Sequence, residues 1–117
     1  MTDAETDCLF CKIVSKDVPA QLVLDRDDVL AFRDVNPQAP THVLVIPKDH
    51  LESLEAVGAG HEPLLASLVD AVNEVARNDG VDGGFRVVTN IGPAAGQSVD
   101  HLHFHVLGGR PMRWPPG

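Results

Sequence analysis

Three histidines alternate with apolar residues near the carboxyl end of the chain, in the run His101-Leu102-His103-Phe104-His105. Because side chains alternate between the two faces of a β-strand, this run puts the three imidazoles on one face and the apolar side chains on the other. Alternate residues on a strand lie about 6.5 to 7 Å apart, so the rings can line a ligand but cannot all bind one atom. Imidazole titrates near neutrality, which suits nucleophilic attack, proton transfer or metal ligation. The pattern predicts a chemically active face, the plainer alternative being a solvated face that carries histidines.

Two cysteines lie near the start of the chain, in the run Cys8-Leu9-Phe10-Cys11. A Cys-x-x-Cys pair can supply half of a zinc site, form a redox pair, or lie along one side of a helix. A closed zinc site needs four ligands, usually sulfur and nitrogen, so histidines would have to complete it. A redox pair normally opens a helix that follows a strand, and no strand is predicted before Cys8, which disfavours the redox role.

Hydrophobic periodicity predicts the elements that must position these residues. Residues 8–16 favour a short amphipathic helix, and residues 60–78, where apolar side chains recur every three or four positions, favour a long one. Strands are predicted at residues 21–24, 29–33, 42–46, 85–91 and 102–107. The uninterrupted apolar run at 42–46 is expected at the centre of the sheet, buried on both faces. The order of elements predicts an α+β fold with a mainly antiparallel five-stranded sheet, one long helix and one short helix.

Length and composition limit the class of protein. A chain of 117 residues is expected to form one domain, with residues 1–7 flexible. Nine Lys and Arg against seventeen Asp and Glu give a net charge of −8, which disfavours binding along a nucleic acid but still allows a small phosphate ligand. No apolar run approaches the roughly 20 residues of a membrane span, and the first residues are unlike a secretory signal. We therefore expect a soluble, cytoplasmic protein without membrane contacts.

The triad resembles the signature of the histidine triad (HIT) superfamily of nucleotide hydrolases and transferases, in which three histidines alternate with apolar residues. Residues 34–42 are similar to the nucleoside-binding segment of that family, and Gly96-Gln97-Ser98-Val99 precedes the triad as it does there. The segments Gly108-Gly109-Arg110 and Trp114-Pro115-Pro116-Gly117 resemble the histidine triad nucleotide-binding (Hint) branch. The resemblance extends from about Cys8 to the last residue and implies a single HIT-like domain.

The resemblance also implies roles for individual side chains. His103 would attack the α-phosphorus of a nucleotide, giving a nucleotidyl-histidine that water then hydrolyses. His105 would donate to the phosphate oxygens, and His42 would support the triad from the side. The implied substrate contacts are Phe32 and Val35 for a purine base, Asp34 for the ribose, and Asn90, Gln97 and Ser98 near the phosphate and leaving group. Ser98 would in addition hydrogen-bond the departing amine and thus share in catalysis.

In zinc-bearing members of the family, a Cys-x-x-Cys pair is joined by a histidine after the central strand and by the first histidine of the triad. The resemblance therefore implies a structural zinc site of Cys8, Cys11, His50 and His101, with unligated buried thiols as the alternative. No organic cofactor is expected. Because the family commonly pairs two protomers into one extended sheet, a homodimer is also implied.

The predicted function is hydrolysis of the P–N bond in purine nucleoside 5′-phosphoramidates, without a choice between adenine and guanine. Two alternatives stay open: a dinucleoside polyphosphate hydrolase, and a nucleotide-binding or scaffold module without catalysis. Replacing His103 with alanine distinguishes them, because a covalent catalyst needs that imidazole and a scaffold does not.

Overall fold

Five antiparallel strands form one sheet in the computed structural model, which describes residues 7–117. The strands are β1 (Leu22–Asp25), β2 (Val29–Arg33), β3 (Thr41–Pro47), β4 (Phe85–Val88) and β5 (Phe104–Gly108). Their order across the sheet is β1-β2-β3-β5-β4, and each neighbouring pair is antiparallel. The predicted α+β fold is thereby confirmed. The predicted flexibility of residues 1–7 lies, except for Asp7, outside the described residues.

The middle strand of the sheet, β3, is buried along its whole length. It pairs with β2 on one side and with β5 on the other, and helices cover both of its faces. Burial on both faces explains the lack of polar alternation in its sequence. The strand extends one residue beyond the predicted range at each end, and Pro47 is its last residue.

Two helices cover opposite faces of the sheet. Helix α1 (Leu9–Val14) is short, and helix α2 (Glu62–Asn78) is the long helix that the periodicity predicts. One core cluster packs α2 against alternate residues of the strands: Val29, Ala31, Val43, Val45, Leu68, Ala71, Val72, Val75, Leu102 and Val106. A second cluster packs α1 against the intervening residues: Cys8, Phe10, Ile13, Leu30, Phe32, Leu44 and Ile46. Neither α1 nor α2 is long and apolar enough to cross a membrane.

The histidine triad starts before the regular part of its strand. Strand pairing begins at Phe104, so His101 and His103 lie in the preceding loop, which contains a short 3-10 turn at Pro93–Ala95. Other hydrogen bonds hold this approach: the Leu102 N–H donates to the Leu51 carbonyl (2.6 Å), and the Thr89 hydroxyl donates to the His103 carbonyl (2.8 Å). The side chains nevertheless keep the predicted alternation, which is what sets the imidazoles apart from the core.

Ion pairs join α2 to the other elements. Arg26, in the turn between β1 and β2, donates to Asp70 (2.9 Å) and Glu74 (3.0 Å) of the helix. At the end of the helix, Asp79 accepts from Arg33 (2.9 Å to Oδ1) and from the Thr41 hydroxyl (2.9 Å). The bonds from Arg33 and Thr41 to Asp79 anchor the end of β2 and the start of β3, and the loop of residues 34–40 runs between these two points.

Candidate active site and metal centre

His103 lies at the centre of the candidate site, buried against the ring of Phe10. The two rings pack edge to face, with centroids 5.1 Å apart. The His103 Nδ1–H donates to the carbonyl of His101 at 2.7 Å. Because a carbonyl only accepts hydrogen bonds, Nδ1 must carry a proton, and in the neutral ring the lone pair is on Nε2. This tautomer is the one that a nucleophile attacking through Nε2 needs.

His42 and His105 form a hydrogen-bonded pair beside His103. The Gln38 backbone N–H donates to His42 Nδ1 (3.0 Å), so the proton of neutral His42 is on Nε2. His42 Nε2–H in turn donates to His105 Nδ1 (2.9 Å), which leaves the proton of neutral His105 on its Nε2. The rings of His103 and His105 lie 5.0 Å apart between centroids. His105 can therefore offer an N–H beside the lone pair of His103.

Burial keeps this histidine pair neutral. It lowers the pKa of His42, and it lowers the pKa of His105 to about 4, with further contributions from His103 and His42. The carboxylate of Asp34 acts in the opposite direction on the pKa of both rings. Near pH 7 both imidazoles are therefore uncharged, as the chain of hydrogen bonds requires.

Asp34 lies immediately after β2, against the same pair. Its Oδ2 is 3.4 Å from His42 Nε2, and its Oδ1 accepts the Asn36 N–H at 2.8 Å. Asp34, His42 and His105 bring their ligand atoms within 4.8 Å of one another, as a metal site would. However, two nitrogens on a tetrahedral zinc would lie about 3.3 Å apart, given metal–nitrogen bonds of about 2.05 Å. The 2.9 Å between His42 Nε2 and His105 Nδ1 is instead a hydrogen-bond distance.

The predicted metal ligands meet at the amino-terminal end of α1. Cys8, Cys11, His50 and His101 place their ligand atoms within 4.8 Å of one another. Cys8 Sγ is 3.3 Å from His101 Nδ1, and Cys11 Sγ is 3.3 Å from His50 Nδ1 and 3.6 Å from His101 Nδ1. Sulfur and nitrogen on a tetrahedral zinc would lie about 3.6 Å apart, given bonds of about 2.3 and 2.05 Å. The four side chains fit a zinc ion.

His101 is oriented for that task by its other ring nitrogen. Its Nε2–H donates to the Pro47 carbonyl at 2.8 Å, which leaves the Nδ1 lone pair directed at the thiols. A backbone acceptor on the outer nitrogen is the usual way to hold a metal-binding imidazole. Burial lowers the pKa of His101 to about 4, so the ring is neutral and able to ligate.

The comparisons with known proteins agree with this geometry. The family model of the HIT domain matches residues 15–112. The chain belongs to the HIT family. A HIT family hydrolase from Legionella pneumophila has the same fold, with a TM-score of 0.92 and 45% identity over 95% of this chain and 100% of that one.

Two HIT relatives carry informative names. A "14 kDa zinc-binding protein" from Zea mays is 47% identical over 115 residues, covering 97% of this chain and 90% of the relative. An "Adenylylsulfatase HINT1" from Arabidopsis thaliana is 45% identical over 118 residues, covering 99% of this chain and 80% of the relative. Cys8 and Cys11 lie before the segment that the HIT model matches, and His50 and His101 lie within it.

The loop before the HIT triad is held by Gln97. Its side-chain oxygen accepts the Gly92 N–H (2.8 Å), and its amide nitrogen donates to the carbonyls of Glu52 (2.7 Å) and Val99 (3.0 Å). These bonds close the loop on itself and attach it to the segment after β3. Gln97 thus sets the shape of the loop, and its predicted substrate contact stays a prediction.

Asn90 and Ser98 lie on the same loop. The Asn90 amide donates to the Ala95 carbonyl at 2.6 Å, across the 3-10 turn. Ser98 is exposed and lines a cavity of about 420 Å³ together with residues of the α1 start, among them Cys8 and Leu9. His103 and His105 are not among the residues that line this cavity, and the predicted contact of Ser98 with a leaving group stays a prediction.

The two side chains predicted to hold the base lie in different environments. Phe32 is 3% exposed and packs edge to face on Phe10, with ring centroids 5.4 Å apart, so it belongs to the core. Val35 is 100% exposed. Their predicted contact with a purine base stays a prediction, and a base lying against Val35 would cover it from the solvent side.

Three contributors to the site carried no signal in the sequence. The Gln38 N–H and the His101 carbonyl, which decide the tautomers of His42 and His103, are backbone groups, and any residue type supplies them. Thr89 contacts the backbone of His103, and a lone threonine after a strand has no distinctive pattern. Phe10, in contrast, has a signal in the sequence. It lies between the two cysteines on α1, and the face of α1 that turns toward the triad carries its ring.

Proposed function

We propose that this HIT protein is a nucleotide hydrolase that cleaves the P–N bond of purine nucleoside 5′-phosphoramidates through a nucleotidyl-histidine intermediate. The observation that supports this most directly is the hydrogen bond from His103 Nδ1–H to the His101 carbonyl. It leaves the Nε2 lone pair available without any prior loss of a proton, unlike a serine nucleophile, which needs a base.

The proposed reaction has two displacements at phosphorus. In the first, His103 Nε2 bonds to the α-phosphorus, the P–N bond breaks, and the leaving amine takes up one proton. In the second, water attacks the same phosphorus, the bond to Nε2 breaks, and the water releases one proton. The products are the nucleoside monophosphate and the amine, and His103 returns to its starting state. Dividing one difficult displacement into two easier ones is the benefit of covalent catalysis.

His105 and His42 support the phosphoryl group in this scheme. With Nδ1 occupied by His42, His105 has its Nε2–H available for a non-bridging phosphate oxygen. A donor held in place before charge develops stabilises the transition state without further reorganisation. The depressed pKa of His105 makes it a neutral N–H donor near pH 7.

The nucleoside contacts follow the resemblance. We assign Asp34 to the ribose hydroxyls, which a carboxylate accepts strongly, and Phe32 and Val35 to the side of the purine base. We assign Asn90, Gln97 and Ser98 to the phosphate and leaving group. Ser98 is exposed, so its hydroxyl is accessible to a leaving group, which supports this assignment.

The name of the Arabidopsis relative, an adenylylsulfatase, favours sulfate as a second candidate for the leaving group. In adenylyl sulfate the same α-phosphorus carries sulfate, and in a dinucleoside polyphosphate it carries a phosphate chain. Attack by His103 would release either group by the same steps. A nucleotide-binding module without turnover is the alternative from another class.

We also propose that residues 1–117 form a single HIT domain that holds structural zinc, works in the cytoplasm and pairs as a homodimer. The dimer is supported by the open edge of β4 and by the apolar groove that β4 and β5 form with α2. The groove is lined by Leu68, Val69, Val72, Asn73, Phe85, Val87 and Phe104. Val69 is 58% exposed and Val87 is 43% exposed, so a second protomer would bury apolar surface there.

Turnover of adenosine 5′-phosphoramidate, adenylyl sulfate and diadenosine tetraphosphate by the wild-type protein and by His103→Ala tests the proposal. We expect the variant to lose about a thousandfold or more in kcat, the usual effect of removing a nucleophile. Mass spectrometry of wild-type protein denatured and quenched at alkaline pH, where a P–N bond to histidine survives, is expected to find an adenylyl adduct on His103.

The matched control is His61→Ala, because His61 lies at the start of α2, where its ring accepts the Gly58 N–H (3.0 Å). This variant is expected to keep wild-type activity. If His103→Ala stays within about tenfold of wild type, the covalent route is wrong. If the wild-type protein binds AMP but turns over none of the three compounds, the binding module replaces the enzyme.

A further inference from the structure

Asp34 is closer to the histidine pair than a residue that only binds ribose would need to be. Its carboxylate is folded inward: the side chain is 20% exposed, and Oδ2 faces the Nε2 of His42, which is 5% exposed. Its own N–H donates to the His42 carbonyl at 3.0 Å, so the backbone of both residues is fixed together. The proximity is therefore built into the loop and does not depend on a bound ligand.

The proton on His42 Nε2 lies between two acceptors. Nδ1 is occupied by the Gln38 N–H, so Nε2 holds the one proton of the neutral ring. His105 Nδ1 accepts it at 2.9 Å, and Asp34 Oδ2 lies 3.4 Å away. If His42 lost that proton from Nε2, a lone pair would face a carboxylate oxygen, which is repulsive. The carboxylate thereby favours the tautomer that gives its hydrogen bond to His105.

We propose that Asp34, besides holding the ribose, is a positioning residue for catalysis: through His42 it holds His105 in the tautomer that directs Nε2–H at the phosphate. This inference rests on the proposed function. It couples the two ends of the substrate, because the carboxylate that accepts the ribose hydroxyls also polarises the chain that contacts the phosphoryl oxygens.

The hydrogen-bonded group of Asp34, His42 and His105 also responds to charge that develops during the reaction. As a phosphate oxygen pulls on His105 Nε2–H, electron density grows on that ring, and its Nδ1 becomes a stronger acceptor for the His42 Nε2–H. The carboxylate of Asp34 favours the proton on His42 Nε2, so His42 stays the donor of this hydrogen bond, and an amide in its place does not have that effect. Asp34→Asn is the informative substitution, since its oxygen can still accept the Asn36 N–H while its NH₂ group would face another donor.

The experiment separates the two roles with a substrate that lacks the ribose hydroxyls. Kinetics of wild type and Asp34→Asn are measured on adenosine 5′-phosphoramidate and on its 2′,3′-dideoxy analogue. A role limited to ribose binding predicts no effect of the substitution on the dideoxy compound. We expect kcat to fall about tenfold on both compounds, the scale seen for residues that orient another side chain. KM is expected to rise for the ribose compound alone.

Nitrogen NMR of the imidazoles gives a readout that does not use turnover. In the wild-type protein, His42 and His105 are expected to show a protonated Nε2 and an unprotonated Nδ1. In Asp34→Asn the chemical shifts of the Nδ1 and Nε2 nitrogens of both rings are expected to move toward the average of the protonated and unprotonated values. Asp25→Asn is the control, because Asp25 is an exposed partner of Lys48 and Lys16 on β1, which β2 and β3 separate from β5, and it should change neither readout.

An unchanged kcat on the dideoxy compound, or unchanged histidine shifts in a folded Asp34→Asn protein, would overturn the positioning role. Failure of the proposed function has a different signature, since the wild-type protein itself would then show no turnover. In that case the NMR comparison alone decides whether Asp34 sets the tautomers of the pair.

Discussion

Removal of a zinc ion from the cluster of Cys8, Cys11, His50 and His101 is expected to destabilise the fold measurably. The four ligands come from the start of α1, the segment after β3 and the approach to the triad. No single element holds more than two of them. A metal bound there ties the start of α1 to the loop before β5, so the free energy of metal binding adds to the free energy of folding.

The expected magnitude follows from linkage. A metal present at about one hundred times its dissociation constant stabilises the native state by about 2.7 kcal/mol. For a domain of this size, each kcal/mol corresponds to roughly 4 °C in Tm, so chelation should lower Tm by roughly 10 °C. The thiols and imidazoles bind metal only when deprotonated, so the stabilisation weakens as the pH falls.

Calorimetry with and without chelator, together with metal analysis, measures this effect. Cys11→Ser removes one thiolate and is expected to melt near the chelated wild type and to be insensitive to chelator. His61→Ala, which changes a histidine outside the cluster, should respond to chelator as the wild type does. Less than about a tenth of an equivalent of zinc per chain, or an unchanged Tm on chelation, would refute the four-ligand site.

Two further predictions concern stability and assembly. Asp79→Asn should lower stability by about 1 kcal/mol at pH 7, measured by urea unfolding, because the bond from half-buried Arg33 chiefly holds the Asp79 pKa below its usual range. That stability is present above the pKa of an unfolded aspartate and is lost as the pH falls through the lower folded value, so the two proteins should converge near pH 2; a constant difference would contradict this origin. Val87→Lys on β4 should shift the molar mass in light scattering from dimer to monomer, whereas Leu22→Lys on the opposite edge strand should not, and an equal effect of both would exclude the β4 edge as the interface.

Side-chain patterns predicted the structure correctly where one whole face of a helix or strand is either buried or exposed. The apolar run of β3 predicted its central place, and the periodicity of α2 predicted a helix that the structure begins two residues later. The alternation around His103 predicted the separation of imidazoles from core, which holds even where strand pairing has not begun. These features depend on which side chains are buried, and the order of apolar and polar residue types indicates burial.

The ends of elements and the tautomers were beyond such patterns, because backbone groups decide them. The predicted strand at residues 85–91 stops at Val88, where the Thr89 side chain bonds to the triad backbone outside the ladder. Likewise, no residue type indicates that the Gln38 N–H would reach His42 Nδ1. The predicted pairing of Phe32 with Val35 as a base slot came from the resemblance, and their different burial follows from the end of β2 at Arg33.

The different roles that we propose for the three triad histidines follow from which nitrogen of each ring forms a hydrogen bond with the protein. His101 gives Nε2–H to Pro47 and keeps a lone pair on Nδ1 for the thiol cluster. His103 gives Nδ1–H to the His101 carbonyl and keeps a lone pair on Nε2. His105 accepts at Nδ1 and keeps a proton on Nε2. Three identical side chains thus suit the three roles that we propose, a metal ligand, a nucleophile and a donor, and the difference lies in the group that hydrogen-bonds the other nitrogen of each ring.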